Sequence, residues 1–252
     1  MLLSFGSPAL HKTNKDRMNL TLDIGNTMVK WALFDGGRLT QSGRQATLEG
    51  LPHAERAMVC ASGRADEAAL AALAEEVHVL SSETPLPIGL DYETPNTLGA
   101  DRVAAACGAR SLCEDKACVV VDAGTCITID YVDAAGVYRG GAILPGMEMK
   151  FHALHTFTAK LPLLSDVGAE EAPLTGRSTR ASMAAGVMSA TRFEVEGFVA
   201  RYRMLSPGCE VLLTGGDAER LWGRGLLEAA PCRIEPYLVL MGLNEILNRM
   251  EI

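Results

Sequence analysis

Short aliphatic runs alternate with turn residues along this chain, and one such phrase recurs: Asn19-Leu-Thr-Leu-Asp23-Ile-Gly25-Asn-Thr27, then Cys118-Val-Val-Val-Asp122-Ala-Gly124-Thr125. Each β-branched or aliphatic run predicts a buried strand. The Asp-x-Gly ending with a nearby hydroxyl predicts the tight turn where that strand doubles back. The returning strands fall at Met28 to Phe34 and at Cys126 to Val132. Turns at Asp35-Gly36-Gly37 and Asp133-Ala-Ala-Gly136 lead into third strands, Arg38 to Arg44 and Val137 to Ile143, so each half opens on an antiparallel meander.

Between the meanders, Ala57 to Ala61 reads as a strand, Asp66 to Glu76 as an Ala/Leu/Glu-rich helix capped near Ser62 to Asp66, and Val77 to Leu80 as another strand. Pro85, Pro87 and Pro95 hold Glu83 to Thr97 extended, and a helical pattern resumes from Leu98 to just before Asp115. Beyond the second meander, Gly140 to Gly146 breaks into a helix from about Met147. Helical periodicity then runs from Ser178 to about Met204, and Glu210 to Thr214 is a strand followed by Gly215-Gly216-Asp217 and a helix.

A 252-residue chain with 48% hydrophobic and 21% charged residues can bury two cores, and the spacing of the repeated phrase favours two halves. The expected division is 18–114 and 115–252, with 1–17 a disordered extension ahead of the first strand. A net charge of −8 with no run of Lys or Arg argues against nucleic acid as a partner. No apolar stretch approaches the roughly 18 residues that span a bilayer. Seven scattered cysteines without a Cys-x-x-Cys pair read as reduced thiols of a cytoplasmic protein.

The chemistry follows from the repeated turn. Glycine lets backbone approach a ligand closely, the hydroxyl adds a donor, and an aspartate at the strand end can hold a cation. Facing hairpins would grip a nucleotide's phosphates from two sides. Asp-x-Gly is also ordinary turn chemistry, but two copies each ending an aliphatic strand favour the functional reading. Neither Gly-x-x-x-x-Gly-Lys-[Ser/Thr] nor Gly-x-Gly-x-x-Gly occurs. Gly215-Gly216 suits a phosphate or adenosine contact about as well as a plain strand-to-helix turn. His152 and His155 lack a carboxylate partner motif and read as ordinary residues, Trp31 and Trp222 as packing. Lys30 reads either as a phosphate contact or as a charge that blunts an edge strand.

These residues together resemble a known family. Asp23-x-Gly25-Asn26-Thr27, Tyr92-x-Thr-Pro-x-x-Leu-Gly99-x-Asp101-Arg102, Asp122-x-Gly124-Thr125, Gly140-Gly141-x-Ile-x-Pro145-Gly146 and Thr179-x-x-x-x-x-x-Gly186 occur in the order seen in type III pantothenate kinases. The resemblance implies an α/β fold of two ribonuclease-H-like domains of the actin, sugar kinase and Hsp70 superfamily, with an interdomain nucleotide cleft. It implies ATP-dependent phosphorylation of pantothenate, the first step of coenzyme A biosynthesis, with Mg²⁺ and a monovalent cation, K⁺ or NH₄⁺, in a cytoplasmic homodimer. By the same resemblance Asp101 is the general base. Asp23, Ile24, Gly25, Asn26, Thr27, Met28, Val29, Lys30 and Thr125 surround the nucleotide. Tyr92, Gly99, Ala100, Asp101, Arg102 and Thr179 meet the substrate, and Asp122 holds the monovalent cation. A sugar kinase or phosphatase of the same superfamily would lack the Tyr92 to Arg102 motif, and a purely regulatory protein would not need Asp101.

Overall fold

The structure, a computed structural model, describes residues 17–25, 28–61, 66–165, 167–168, 172–222 and 232–250. The first sheet is built from β1 (Met18–Ile24), β2 (Val29–Asp35), β3 (Arg38–Gln45), β4 (Ala54–Ala61) and, after the short helix α1 (Glu67–Ala71), β5 (Ala74–Val79). After β6 (Gly89–Leu90) and α2 (Ala100–Cys113) come β7 (Cys118–Ala123), β8 (Cys126–Val132) and β9 (Val137–Pro145). The helices α3 (Met147–Thr156), α4 (Thr179–Ala184) and α5 (Ala190–Leu205) follow. The described chain closes with β10 (Glu210–Thr214), α6 (Ala218–Trp222), β11 (Cys232–Ile234) and α7 (Leu238–Arg249).

Both sheets share one wiring. In the order β3-β2-β1-β4-β5, the strand that opens the half sits centrally, with an antiparallel meander on one side and parallel strands on the other. In the order β11-β10-β7-β8-β9-β6, β7 occupies the equivalent place. Strand alternation then sorts the faces. Leu20 and Leu22 face outward into a core with Val59, Leu70 and Leu73. Ala32, Phe34, Met58 and Cys60 face inward and share one cluster with α2, α7 and with Cys118, Val120, Val132 and Leu212 of the second sheet. The opposite face of the second sheet packs through Val119, Val121, Ile129 and Leu213 on residues of α3, α4 and α5.

The two sheets therefore enclose a central layer of two helices, α2 and α7. These helices touch through backbone: a Cβ at Gly242 would lie 1.7 Å from the Ala104 carbonyl oxygen, and one at Gly108 2.4 Å from that of Leu238. A buried polar network fastens α7 to the first sheet. Arg56 donates to Asn19 Oδ1 and to the Leu247 carbonyl, Asn19 donates to Asn244 and Asn248, and Asn244 donates to the Gly36 carbonyl at 2.9 Å.

Several elements differ from expectation. The helix expected over 66–76 stops at Ala71, because Ala74 to Val79 form a parallel ladder with β4 that satisfies their backbone. Asp66 caps it as expected, accepting from the Ala68 and Ala69 N–H groups. The strand expected over Val137 to Ile143 runs on to Pro145, with Gly140 and Gly141 inside it: Gly140 has φ +91°, and a Cβ at Gly141 would meet the Ile129 carbonyl oxygen at 1.9 Å. The helical stretch from 178 contains a π-turn at Ala185–Ser189. Two elements cross the expected division near 115, since β6 pairs with β9 and α7 packs on β1. Residues 1–16, the cap region 62–65, Asn26 and Thr27 lie outside the described residues. Arg17, within the expected extension, pairs with Glu76 and its carbonyl accepts from the Gly36 N–H.

Candidate active site

The inward face of the first sheet carries Asp23 at the end of β1, and Lys30 faces it in register from β2 with its ammonium 3.5 Å away. β2 lies inside the sheet, so an edge-blunting role for Lys30 is ruled out. Burial raises the Asp23 pKa, Lys30 opposes the rise, and Asp101 adds to it. The inward face of the second sheet carries Asp122 at the matching end of β7, beside Thr128 on β8 and buried Thr214 on β10. Burial pushes Asp122 up to about 6, against the pull of Lys30 and with Asp101, Asp23 and Asp130 adding to it. Asp23, Asp101, Asp122 and Lys30 thus sense one another across the two sheets.

Both Asp-x-Gly turns close on themselves. The Gly25 N–H donates to the Met28 carbonyl and the Gly124 N–H to that of Cys126, each at 3.0 Å, so these two donors serve the hairpins rather than a ligand. The Gly146 N–H holds the exposed Thr125 by its carbonyl at 3.0 Å, and a Cβ at Gly146 would sit 2.3 Å from that oxygen. In the first loop Met28 is exposed and Ile24 half-buried, while the Val29 side chain is buried in the outer core, leaving only its backbone to the cleft. Gly215, after β10, has φ +93°, and a Cβ there would lie 2.4 Å from Asp122 Oδ1 and from the Ala123 carbonyl oxygen. Its glycine is required by packing against Asp122, which favours the structural account of that turn.

Asp101 is exposed in the first turn of α2, where the helix dipole favours a carboxylate. Its Oδ1 accepts the Arg102 N–H at 2.9 Å. Gly99 precedes the helix, and a Cβ on it would lie 2.5 Å from Asp101 Oδ1. Gly99 therefore makes room for the carboxylate, with Ala100 half-buried behind it.

Arg102 turns the other way, into the protein. Its Nε and Nη2 donate to Asp130 Oδ1 at 3.0 and 2.6 Å, and its guanidinium carbon lies 6.0 Å from the centre of the Tyr138 ring. The Asp101-Arg102 step is therefore not an exposed surface pair. Burial alone would lower the Arg102 pKa, but Asp130 reverses this, helped by Tyr138 and a hydrogen bond with Tyr92. Tyr92 packs 6.0 Å from Tyr138 and is carried on the second sheet by β6, the Asp91 N–H to Tyr138 carbonyl bond and an Asp91–Arg139 ion pair of 2.6 Å. Thr179 is exposed at the start of α4 and lines a separate depression with Leu154, Leu161, Ser182, Met183 and Gly186.

The arrangement sets an exposed carboxylate within electrostatic reach of two strand ends that are themselves acidic. It can accept a proton from a hydroxyl placed in the cleft. Among the described residues no three His, Cys, Asp or Glu side chains converge tightly enough to hold a metal unaided. Two carboxyls with raised pKa and one lysine that both of them sense nonetheless fit a cation shared with a ligand's phosphate oxygens. The sequence reading missed Asp130 and Thr214, and it quoted Gly146 in a motif without giving it a role. The first two were within reach, because alternation on β8 and β10 puts Asp130 and Thr214 on the same face as Asp122.

Comparison with known proteins bears on this geometry. A sequence model of the type III pantothenate kinases matches residues 60–201. A type III pantothenate kinase of Cytophaga hutchinsonii is 41% identical over 237 residues, spanning 92% of this chain and 99% of that protein. One from Phocaeicola vulgatus is 40% identical over 247 residues, with 92% and 98% covered. Among solved structures, an activator of 2-hydroxyisocaproyl-CoA dehydratase from Clostridium difficile with bound ADPNP aligns with a TM-score of 0.56 at 12% identity, covering 92% and 94% of the two chains. A glucokinase from an Antarctic psychrotroph aligns at 0.50 and 12%, covering 92% and 99%. These likenesses place the fold among the actin, sugar kinase and Hsp70-type proteins, with two ribonuclease-H-like domains.

Proposed function

This chain belongs to the type III pantothenate kinase family, and on that premise we propose that Asp101 is the general base of its reaction. The family's activity is the ATP-dependent phosphorylation of pantothenate, the first step of coenzyme A biosynthesis. One observation supports the role of Asp101 above the others: its exposed carboxylate stands at the start of α2, within electrostatic range of both acidic strand ends.

Phosphoryl transfer depends on positioning and charge neutralisation, with a group to take the attacking hydroxyl's proton. Asp23 and Lys30 face the phosphates from the first sheet, and Thr125 from the second. The backbone from Ile24 to Val29 completes the first loop. Tyr92, Gly99, Ala100, Arg102 and Thr179 belong to the pantothenate side. Mg²⁺ held at Asp23 would neutralise charge on the phosphate oxygens, and a K⁺ or NH₄⁺ ion at Asp122 would relieve the repulsion that raises that carboxyl. The domains divide near residue 115. The enzyme works in the cytoplasm, in keeping with five buried thiols. It works as a homodimer, for which exposed Phe193, Met204 and Leu205 on α5 supply apolar surface.

A coupled assay of Asp101→Asn with ATP, Mg²⁺, K⁺ and pantothenate tests the base. Positioned bases contribute roughly 10² to 10⁴ in rate. Wild-type turnover in that variant would end the assignment.

A further inference from the structure

Asp130 belongs to none of the motifs that mark the site, yet it is fully enclosed, with 0% of its surface exposed. Its Oδ1 accepts from Arg102 Nε and Nη2 and also from the Tyr138 hydroxyl at 2.7 Å. Its Oδ2 is equally buried and has no partner among the described residues. An arginine–carboxylate pair that only ties two elements together gains most from two parallel bonds, one to each oxygen. Here both N–H groups converge on one oxygen, and leaving the other buried without a donor is destabilising. The arrangement instead settles where the Arg102 guanidinium and the Tyr138 ring lie. Tyr92 is coupled to both: its ring lies 6.0 Å from that of Tyr138, and it helps to hold the Arg102 charge. A Cβ at Gly140 would lie 3.5 Å from the Tyr92 ring, so that ring also rests close against β9.

The geometry points to Asp130 as the positioning residue of the pantothenate pocket, holding Arg102 directly and Tyr92 through Arg102 and Tyr138. The inference rests on the reading of Tyr92 and Arg102 as substrate-side residues. On β8, Asp130 lies opposite Val120, two residues from Asp122 on the same face, and among the described residues its hydrogen bonds go to Arg102 and Tyr138. Its removal therefore acts on the substrate end by contact and reaches the Asp122 end only through its charge, which Tyr138→Phe leaves in place.

Two variants test this on the full-length enzyme. Asp130→Asn removes the charge while keeping the shape. Tyr138→Phe removes one hydrogen bond without stranding a buried cation, and decides the matter alone if Asp130→Asn fails to fold. Both are expected to raise KM for pantothenate by about tenfold or more, with KM for ATP unchanged and kcat within about threefold. The double variant Arg102→Gln/Asp130→Asn should be no worse in pantothenate KM than Arg102→Gln alone, since both changes break one unit. An unchanged pantothenate KM in Tyr138→Phe, or a parallel loss in both KM values and kcat, overturns the proposal. If Arg102→Gln raises that KM while Asp130→Asn does not, the substrate-side reading stands and only the Asp130 inference falls. If Arg102→Gln also leaves it unchanged, the substrate-side reading falls and takes the inference with it.

Discussion

Replacing Asp122 by asparagine should make the ligand-free protein more stable above pH 6 while removing its response to monovalent cations. The reason lies in what surrounds that carboxyl. It is packed against Gly215 beside buried Thr214, and burial, Asp101, Asp23 and Asp130 all disfavour its charge, with Lys30 opposing them. Its folded pKa of about 6 stands against the usual 3.8. The folded state therefore holds more protons than the unfolded chain between about pH 4 and 6, and stability falls as pH rises through that window. The difference corresponds to at most about 3 kcal/mol at neutral pH. Asparagine has nearly the same shape and no charge to desolvate. Urea unfolding of wild type and Asp122→Asn, without ligands, should give similar stabilities at pH 4 and a variant more stable by about 2–3 kcal/mol at pH 8. A variant equal to or weaker than wild type at pH 8, or a gap that is the same at both pH values, would refute the electrostatic account.

Other outcomes follow from the same geometry. Gly99→Ala should leave the melting temperature nearly unchanged but lower kcat, because the added Cβ meets only the movable tip of Asp101; an unaltered kcat would show that Asp101 tolerates displacement. Gly242→Ala should destabilise the fold by about 3 kcal/mol or more, since its Cβ would overlap the Ala104 carbonyl and α2 would have to shift; thermal melting decides it. Exchanging K⁺ for Na⁺ or Tris should slow wild type strongly and Asp122→Ala only slightly, and equal rates in all buffers would remove the cation from Asp122.

Much of this protein was legible in its chain because the informative patterns are local. Strands that end in Asp-x-Gly carry their own turn, so β1, β2, β7 and β8 fell where alternation placed them. The misreadings came where distant partners decide. Ala74 to Glu76 favour helix on propensity, yet pairing with β4 makes them strand. β6 is two residues long and has meaning only beside β9. α7 lies outside every expected element, and its Gly242 and Asn244 make sense only against α2 and β1. At the site, Asp101 and Arg102 were carried by their motif, while the partner that holds Arg102, Asp130, lies 28 residues away and outside every motif. No short-range signal tells a side chain which of two faces will be the buried one.

The position of α7 between the sheets also bears on how the protein is made. The first sheet leaves the ribosome with its inner face, including Asn19 and Arg56, uncovered, because the helix that caps it is encoded nearly two hundred residues later. Synthesis proceeds at about 5–20 residues per second, so that face waits on the order of ten seconds or more for its partner. During that interval the nascent chain exposes Phe34, Met58 and an unsatisfied polar array together. The amino-terminal half is thus committed to late completion, and a ribosome stalled before α7 would hold a client for chaperones rather than a finished domain.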